Sequence, residues 1–138
     1  MKFPVAVFKD PKSDFGVIVP DLPGCFSAGD SFEDAIENAR EAIECHIEGM
    51  LKDEETIPNP KKTDVHQKSS KFKSAVWAMV EIDLSDLSDK AKRVNITIPE
   101  RILASIDKFA KKQGETRSGL LARAALEFIA NHQKWKEL

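Results

Sequence analysis

At 138 residues and 41% apolar content, the chain has room for one ordinary domain or two small ones and for at least one packed core. Its net charge of −2 hides a division: residues 1–89 hold 10 Lys+Arg against 18 Asp+Glu, and residues 90–138 hold 11 against 5. No apolar run approaches the ~20 residues that span a bilayer, and the first residues lack the apolar stretch of a signal peptide. A cytoplasmic protein without membrane segments is expected, with an acidic part suited to a basic protein and a basic part suited to nucleic acid.

Residues 3–8 and 15–19 read as strands, because Phe3, Val5, Val7 and then Phe15, Val17, Val19 recur at a spacing of two. The polar stretch 9–14 between them has turn chemistry, which predicts a hairpin. Asp21-Leu22-Pro23-Gly24-Cys25 is a second turn, and Phe26-Ser27-Ala28 a short third strand. Ser31 then caps a helix whose apolar stripe (Phe32, Ala35, Ile36, Ala39, Ala42, Ile43, Ile47, Met50, Leu51) runs through about five turns. Glu33, Glu37, Glu41, Glu44 and Glu48 lie largely off that stripe and read as a solvated face. Residues 52–74, with Pro58 and Pro60 and little periodicity, read as a loop. Residues 75–82 form a fourth strand that returns to the sheet, and residues 84–91 form a linker between domains 1–83 and 92–138.

The second domain opens with Arg93-Val94-Asn95-Ile96-Thr97-Ile98-Pro99-Glu100. Alternation predicts a strand with Val94, Ile96 and Ile98 facing a core and Arg93, Asn95 and Thr97 facing outward as hydrogen-bond donors. Pro99 opens a helix with Ile102, Leu103, Ile106, Phe109 and Ala110 as its stripe, and Gly114 ends it. Thr116 caps a second helix striped by Leu120, Leu121, Ala124, Ala125, Phe128 and Ile129. One short strand before two helices cannot bury its own apolar face. Two copies pairing antiparallel form a ribbon that fits the major groove of DNA.

This run, from Lys92 to about Asn131, resembles the ribbon-helix-helix family of DNA-binding proteins. The resemblance implies that Arg93, Asn95 and Thr97 face the groove, and that the start of the second helix, at Thr116, Arg117 and Ser118, holds a phosphate. The stretch from Val19 to Ala35 (Val-Pro-Asp-Leu-Pro-Gly-Cys-Phe-Ser-Ala-Gly-Asp-Ser-Phe-Glu-Asp-Ala) resembles the HicB antitoxin family, and the likeness continues through Trp77-Ala78-Met79-Val80-Glu81-Ile82-Asp83-Leu84. It implies an α+β chain: a partial ribonuclease-H-like domain of antiparallel sheet and one long helix, then a ribbon-helix-helix. The first domain is expected to mask a small basic toxin of the HicA type, an mRNA-cleaving ribonuclease, with Asp21, Leu22, Pro23 and Phe26 as contacts or the acidic helix face as an alternative. The second is expected to form a homodimer, with a higher oligomer left open, and to repress its own operon at operator DNA. The rival expectation is a stand-alone repressor with a ligand-sensing first domain.

No catalysis is expected of the chain. A two-metal nuclease needs clustered carboxylates, and the interior of the first strand has none, while Asp10, Asp14 and Asp21 fall in turns. Cys25 and Cys45 lack metal-ligand spacing, and His46, His66 and His132 are far apart, so buried reduced thiols and an exposed imidazole are expected in place of a metal or cofactor site.

Overall fold

A computed structural model describes residues 1–87 and 92–136. The chain divides into two compact units, Met1–Ile82 and Asp83–Leu138.

The first unit is a four-stranded antiparallel sheet with one long helix. Strands β1 (Lys2–Lys9), β2 (Phe15–Ile18), β3 (Phe26–Gly29) and β4 (Val76–Glu81) lie in the order β3-β2-β1-β4. The hairpin register pairs Val7 with Val17 and Lys9 with Phe15, while β4 runs antiparallel to β1 with Phe3 opposite Val80 and Ala6 opposite Trp77. Because opposed residues share a face, Phe3, Val5, Val7, Val17 and Val80 form one apolar surface. Against it packs helix α1 (Phe32–Lys52), which buries Ala35, Ala39, Ile43 and Ile47. Ser31 caps α1 by accepting from the Asp34 amide at 3.1 Å. Phe32 sets its ring edge-on to Phe15 at 6.2 Å. Gly29 is obligatory where helix meets sheet, since a Cβ there would stand 2.3 Å from the Ala35 nitrogen. Asn38 donates to the Ala28 carbonyl at 2.8 Å and Arg40 to that of Glu81, tying α1 to β3 and β4.

The stretch expected to be a plain loop carries structure. Helix α2 (Thr63–Gln67) and a 3-10 turn (Ser70–Phe72) form a cover over the opposite face of the sheet. Thr63 reaches the Met79 sulfur at 3.5 Å, while His66 stacks on Trp77 and Phe72 meets it edge-on. With both faces covered at its centre, β1 is buried from Phe3 to Val7, hence its nearly unbroken apolar sequence.

In the second unit, Asp83 caps a 3-10 turn (Leu84–Asp86) by accepting from the Ser85 amide at 3.0 Å and its hydroxyl at 2.6 Å. The expected linker thus begins as ordered structure, and its residues 88–91 lie outside the described residues. Helix α3 (Glu100–Gln113) starts after Pro99 and ends at Gly114, which adopts the left-handed conformation at φ +69°. Helix α4 (Arg117–Lys136) follows, started by Thr116, whose hydroxyl oxygen accepts from the Gly119 amide at 3.0 Å. Arg123 clamps the turn, reaching Glu115 at 2.8 Å and Glu127 at 3.5 Å.

The apolar stripes read from sequence for this unit are largely uncovered within one chain. Its buried apolar side chains are Ala110, Leu120 and Ala130 among the described residues, while Val94 (66%), Ile96 (65%) and Phe128 (63%) stand exposed. Residues 92–99 pair with no strand among the described residues. The core expected for Val94 and Ile96 is therefore not formed among the described residues. A lone extended segment has no ladder partner and no second layer to bury against.

Candidate functional sites

Two surfaces carry the chemistry. In the second unit, a groove of about 1050 Å³ lies between segment 92–98 and the helices, walled by Leu103, Arg117, Ser118, Leu121 and Ala122. Arg93, Asn95 and Thr97 are exposed along this segment, and so are Val94 and Ile96 between them, so exposure does not alternate within the single chain. Thr116, Arg117 and Ser118 are exposed at the start of α4. The first amides of a helix have no intrahelical acceptor and carry the positive end of its dipole, so this turn can hold an anion.

Two neighbours qualify that picture. The Arg117 guanidinium is already engaged: its Nε and Nη2 each donate to Asp107 at 2.8 Å. These hydrogen bonds hold the Asp107 carboxyl below the usual carboxylate range and raise Arg117 further. Arg117 offers a phosphate its three remaining N–H donors, two on Nη1 and one on Nη2, or all five once it leaves Asp107. Asp83 is the second neighbour. A Cβ on Gly119 would come within 2.6 Å of its Oδ1, so a carboxylate already lies beside the first turn of α4.

In the first unit, the turn that bears the sequence motif is closed by its own backbone. Leu22 donates to the Val19 carbonyl, Cys25 to Leu22 and Val19 to Cys25, at 3.0–3.2 Å. Gly24 takes φ +86°, a conformation open to glycine. The turn splits the four candidate contacts into two pairs. Asp21 and Leu22 are buried, at 8% and 0% exposure, and offer no surface to a partner. Pro23 and Phe26 are exposed, Phe26 at 65%.

Asp21 has an internal task instead. Its Oδ1 accepts from the Lys61 amide at 3.0 Å. Its Oδ2 lies 3.0 Å from His66 Nε2, in ion-pair reach but off the line of a formed hydrogen bond, so both buried atoms keep unused bonding capacity. His66 in turn stacks on Trp77, with ring centroids 6.2 Å apart. The motif's acid thus pins the cover formed by residues 56–75, a role the sequence alone did not signal. Exposed acids are the norm in turns, and the partners lie 40 and 45 positions away.

Register pairing sets Trp77, Ala6, Ile18 and Phe26 in one row across the sheet. The cover roofs the Trp77 end and leaves Phe26 on edge strand β3 open, with Ala28 also exposed. Asp14 and Asp30 are exposed beyond the Phe15–Gly29 pair at the far end of that edge. The acidic residues of α1 lie on the opposite side of the sheet, away from its buried stripe.

The thiols differ from expectation in one respect. Cys25 is buried, and burial together with nearby Cys45 pushes its thiol pKa up, but Cys45 itself is exposed. It lies off the α1 stripe that the sheet covers. Among the described residues no three His, Cys, Asp or Glu side chains are grouped to hold a metal ion. No helix among them is long and apolar enough to cross a membrane.

Residues 3–125 match the family model of the HicB-like antitoxin of bacterial toxin–antitoxin systems. The chain is 39% identical over 127 residues to an uncharacterized 14.9 kDa protein of Haemophilus phage HP1, covering 91% of this chain and 95% of that one. Among solved structures, the antitoxin HicB of Burkholderia pseudomallei is 44% identical, with a TM-score of 0.78 over 92% of this chain and 97% of that chain. A chain of the HicA3–HicB3 toxin–antitoxin complex is 34% identical, with a TM-score of 0.53 over 60% of this chain and 99% of that one.

Proposed function

Since this chain belongs to the HicB-like antitoxins of bacterial toxin–antitoxin systems, we propose that it neutralises a HicA-like toxin through its first unit and represses its own operon through its second. The toxin half of this reading draws on the likeness to a solved HicA3–HicB3 complex. It also draws on an exposed, partly apolar edge at Pro23, Phe26 and Ala28 with Asp14 and Asp30 beyond it. A small basic toxin suits that combination: Phe26 supplies a buried anchor once docked, and the acids supply charge complementarity. Asp21 and Leu22 serve from beneath, by fixing the turn that presents Pro23. The first unit acts as a ribonuclease-H-like scaffold of three consecutive antiparallel strands and a helix, used for binding and not for catalysis.

The observation that carries the second half is the uncovered apolar surface of Val94, Ile96, Phe128 and Ile129. A second copy covers it most economically. Two segments 93–98 pair antiparallel as a ribbon, Val94 and Ile96 turn inward onto the helices, and the groove beside Leu103 and Leu121 is filled. Arg93, Asn95 and Thr97 then project from the ribbon to read bases, while the start of α4 at Thr116, Arg117 and Ser118 positions the dimer on phosphates.

The test is co-expression with the open reading frame adjacent to the gene, which this reading expects to be short and basic, followed by capture of this chain. Stable capture of a partner that is toxic when expressed alone supports the antitoxin reading. Intact binding to the upstream DNA with no captured partner returns the chain to a stand-alone repressor with a ligand-sensing first unit.

A further inference from the structure

The first unit is acidic as a whole, with 10 Lys+Arg against 15 Asp+Glu over residues 1–82, but its charge is not mixed. Residues 10–55 hold 3 basic and 13 acidic side chains, whereas residues 56–75 hold Lys61, Lys62, Lys68, Lys71 and Lys73 against Asp64 alone. All five lysines are exposed, and none forms an ion pair with a carboxylate among the described residues. Like charges gathered on one short segment repel one another, while many acids elsewhere on the unit stand without them. The arrangement suits an anion that comes from outside the unit.

The lysines stand on a fixed support. Lys61 and Lys62 precede α2, and Lys68, Lys71 and Lys73 surround the 3-10 turn. That cover is pinned at three places: the Lys61 amide on Asp21, the His66 ring on Trp77, and the Phe72 ring edge-on to Trp77 at 5.5 Å. Only the lysine side chains remain to be ordered when a ligand binds, which lowers the entropic cost of binding. Gln67, Ser70 and Ser74 are also exposed and add neutral donors of the kind that contact phosphate oxygens.

We infer that the cover Lys61–Lys73 of the first unit is a second nucleic-acid surface, which binds the phosphate backbone without reading sequence. The acidic β3 edge and the lysine-bearing cover divide the unit's partners by sign, a basic protein for one and a polyanion for the other. The backbone has two sources, duplex DNA or single-stranded RNA, and both present the same phosphates. The inference stands apart from the ribbon: it predicts binding by the first unit's lysines whether or not Arg93, Asn95 and Thr97 read bases.

The experiment compares the full wild-type chain with a K61Q/K62Q/K68Q/K71Q/K73Q chain, and with the two subsets K61Q/K62Q and K68Q/K71Q/K73Q in case the full set fails to fold. Affinity is measured across a salt series on a duplex without operator sequence and on a single-stranded RNA of similar length. Each phosphate contact contributes about 0.9 to the slope of log K against log salt on duplex and about 0.7 on single strands. The expected result is a slope shallower by about 2 or more per protomer on one of the two probes, which also identifies the source. An Asn95→Ala chain, run alongside, separates the two readings: its operator preference falls while its slope on non-operator DNA stays at the wild-type value. Equal slopes for wild type and every folded lysine variant on both probes overturn the inference. So does a change confined to oligomeric state, which would assign the lysines to the acidic surface of a second copy.

Discussion

Replacing Asp21 by Ala distinguishes an internal pin from a toxin contact. The carboxylate side chain is 3% exposed, accepts from the Lys61 amide at 3.0 Å and lies 3.0 Å from His66 Nε2. A hydrogen bond to a charged acceptor contributes roughly 1.5–3 kcal/mol, and a buried donor left without a partner costs about 1–3 kcal/mol. The two contributions overlap, so a loss of about 2–4 kcal/mol is expected for the first unit. Small proteins have urea m values of about 1–3 kcal/mol/M, which converts that loss to a midpoint lowered by roughly 0.7–4 M. Trp77 stacks on His66 at the site itself, so its fluorescence in a Trp135→Phe background follows the transition. Asp21→Asn keeps an acceptor for the Lys61 amide and should fall between the two. An unchanged midpoint combined with lost toxin capture would refute the argument and make Asp21 an interface residue.

Phe26→Asp should abolish toxin capture while leaving the unfolding free energy within about 0.5 kcal/mol of wild type, as for surface positions generally; preserved capture removes Phe26 from the interface. If two copies pair as proposed, wild type should sediment as a dimer and Ile96→Asp as a monomer without operator binding, because two carboxylates would be brought into the ribbon; an Ile96→Asp dimer places the contact elsewhere. Asp107→Asn weakens the hold on Arg117, so if Arg117 must leave Asp107 to meet a phosphate, the salt slope of the proposed DNA binding should steepen by about one per protomer; an unchanged slope means that freeing Arg117 adds no phosphate contact. Because the folded-state carboxyl of Asp107 is lowered, the Asp107–Arg117 pair is fully formed above the ordinary carboxylate range and is lost only as pH falls through that lowered value. The carboxyl shifts of Asp107 in an NMR titration of the free protein should therefore move below the range of the other aspartates.

Periodicity made the regular elements legible. The α1 stripe, its Ser31 cap, the Pro99 start and the Gly114 stop are all local signals, and the helices begin and end within a residue or two of them. The cover was not legible, because α2 and the 3-10 turn are too short to establish a 3.6-residue period and Pro58 and Pro60 precede them. Its fastening is long-range: nothing near Asp21 announces Lys61 or His66. The motif turn was readable as a turn, but which of its residues face outward was not. That depends on three backbone hydrogen bonds and the left-handed Gly24, which turn Asp21 and Leu22 inward and leave Pro23 outside. The separation of five lysines in residues 56–75 from the acids of residues 10–55 is present in the sequence, yet it gains a place only once residues 56–75 are known to lie together on the sheet.

The second unit is where sequence and single-chain structure pull apart, and the difference is thermodynamic. A segment the length of Asp83–Leu138 lies near the lower size limit for independent folding, where the fraction of surface buried is small. Here three small or medium side chains are buried while Val94, Ile96, Ile102, Phe109 and Phe128 are about half exposed or more. Each large apolar side chain moved from water to a full interior contributes about 1.5–3 kcal/mol, so covering all five in a dimer would contribute more than the lone unit gains from Ala110, Leu120 and Ala130. If the unit dimerises as proposed, its folding is linked by mass action to association, and the fraction competent to bind an operator falls faster than the concentration of chain. The first unit has its own complete core and escapes that linkage. On the proposed reading, dilution therefore weakens repression before it weakens toxin binding, and the order follows from where each unit keeps its apolar residues.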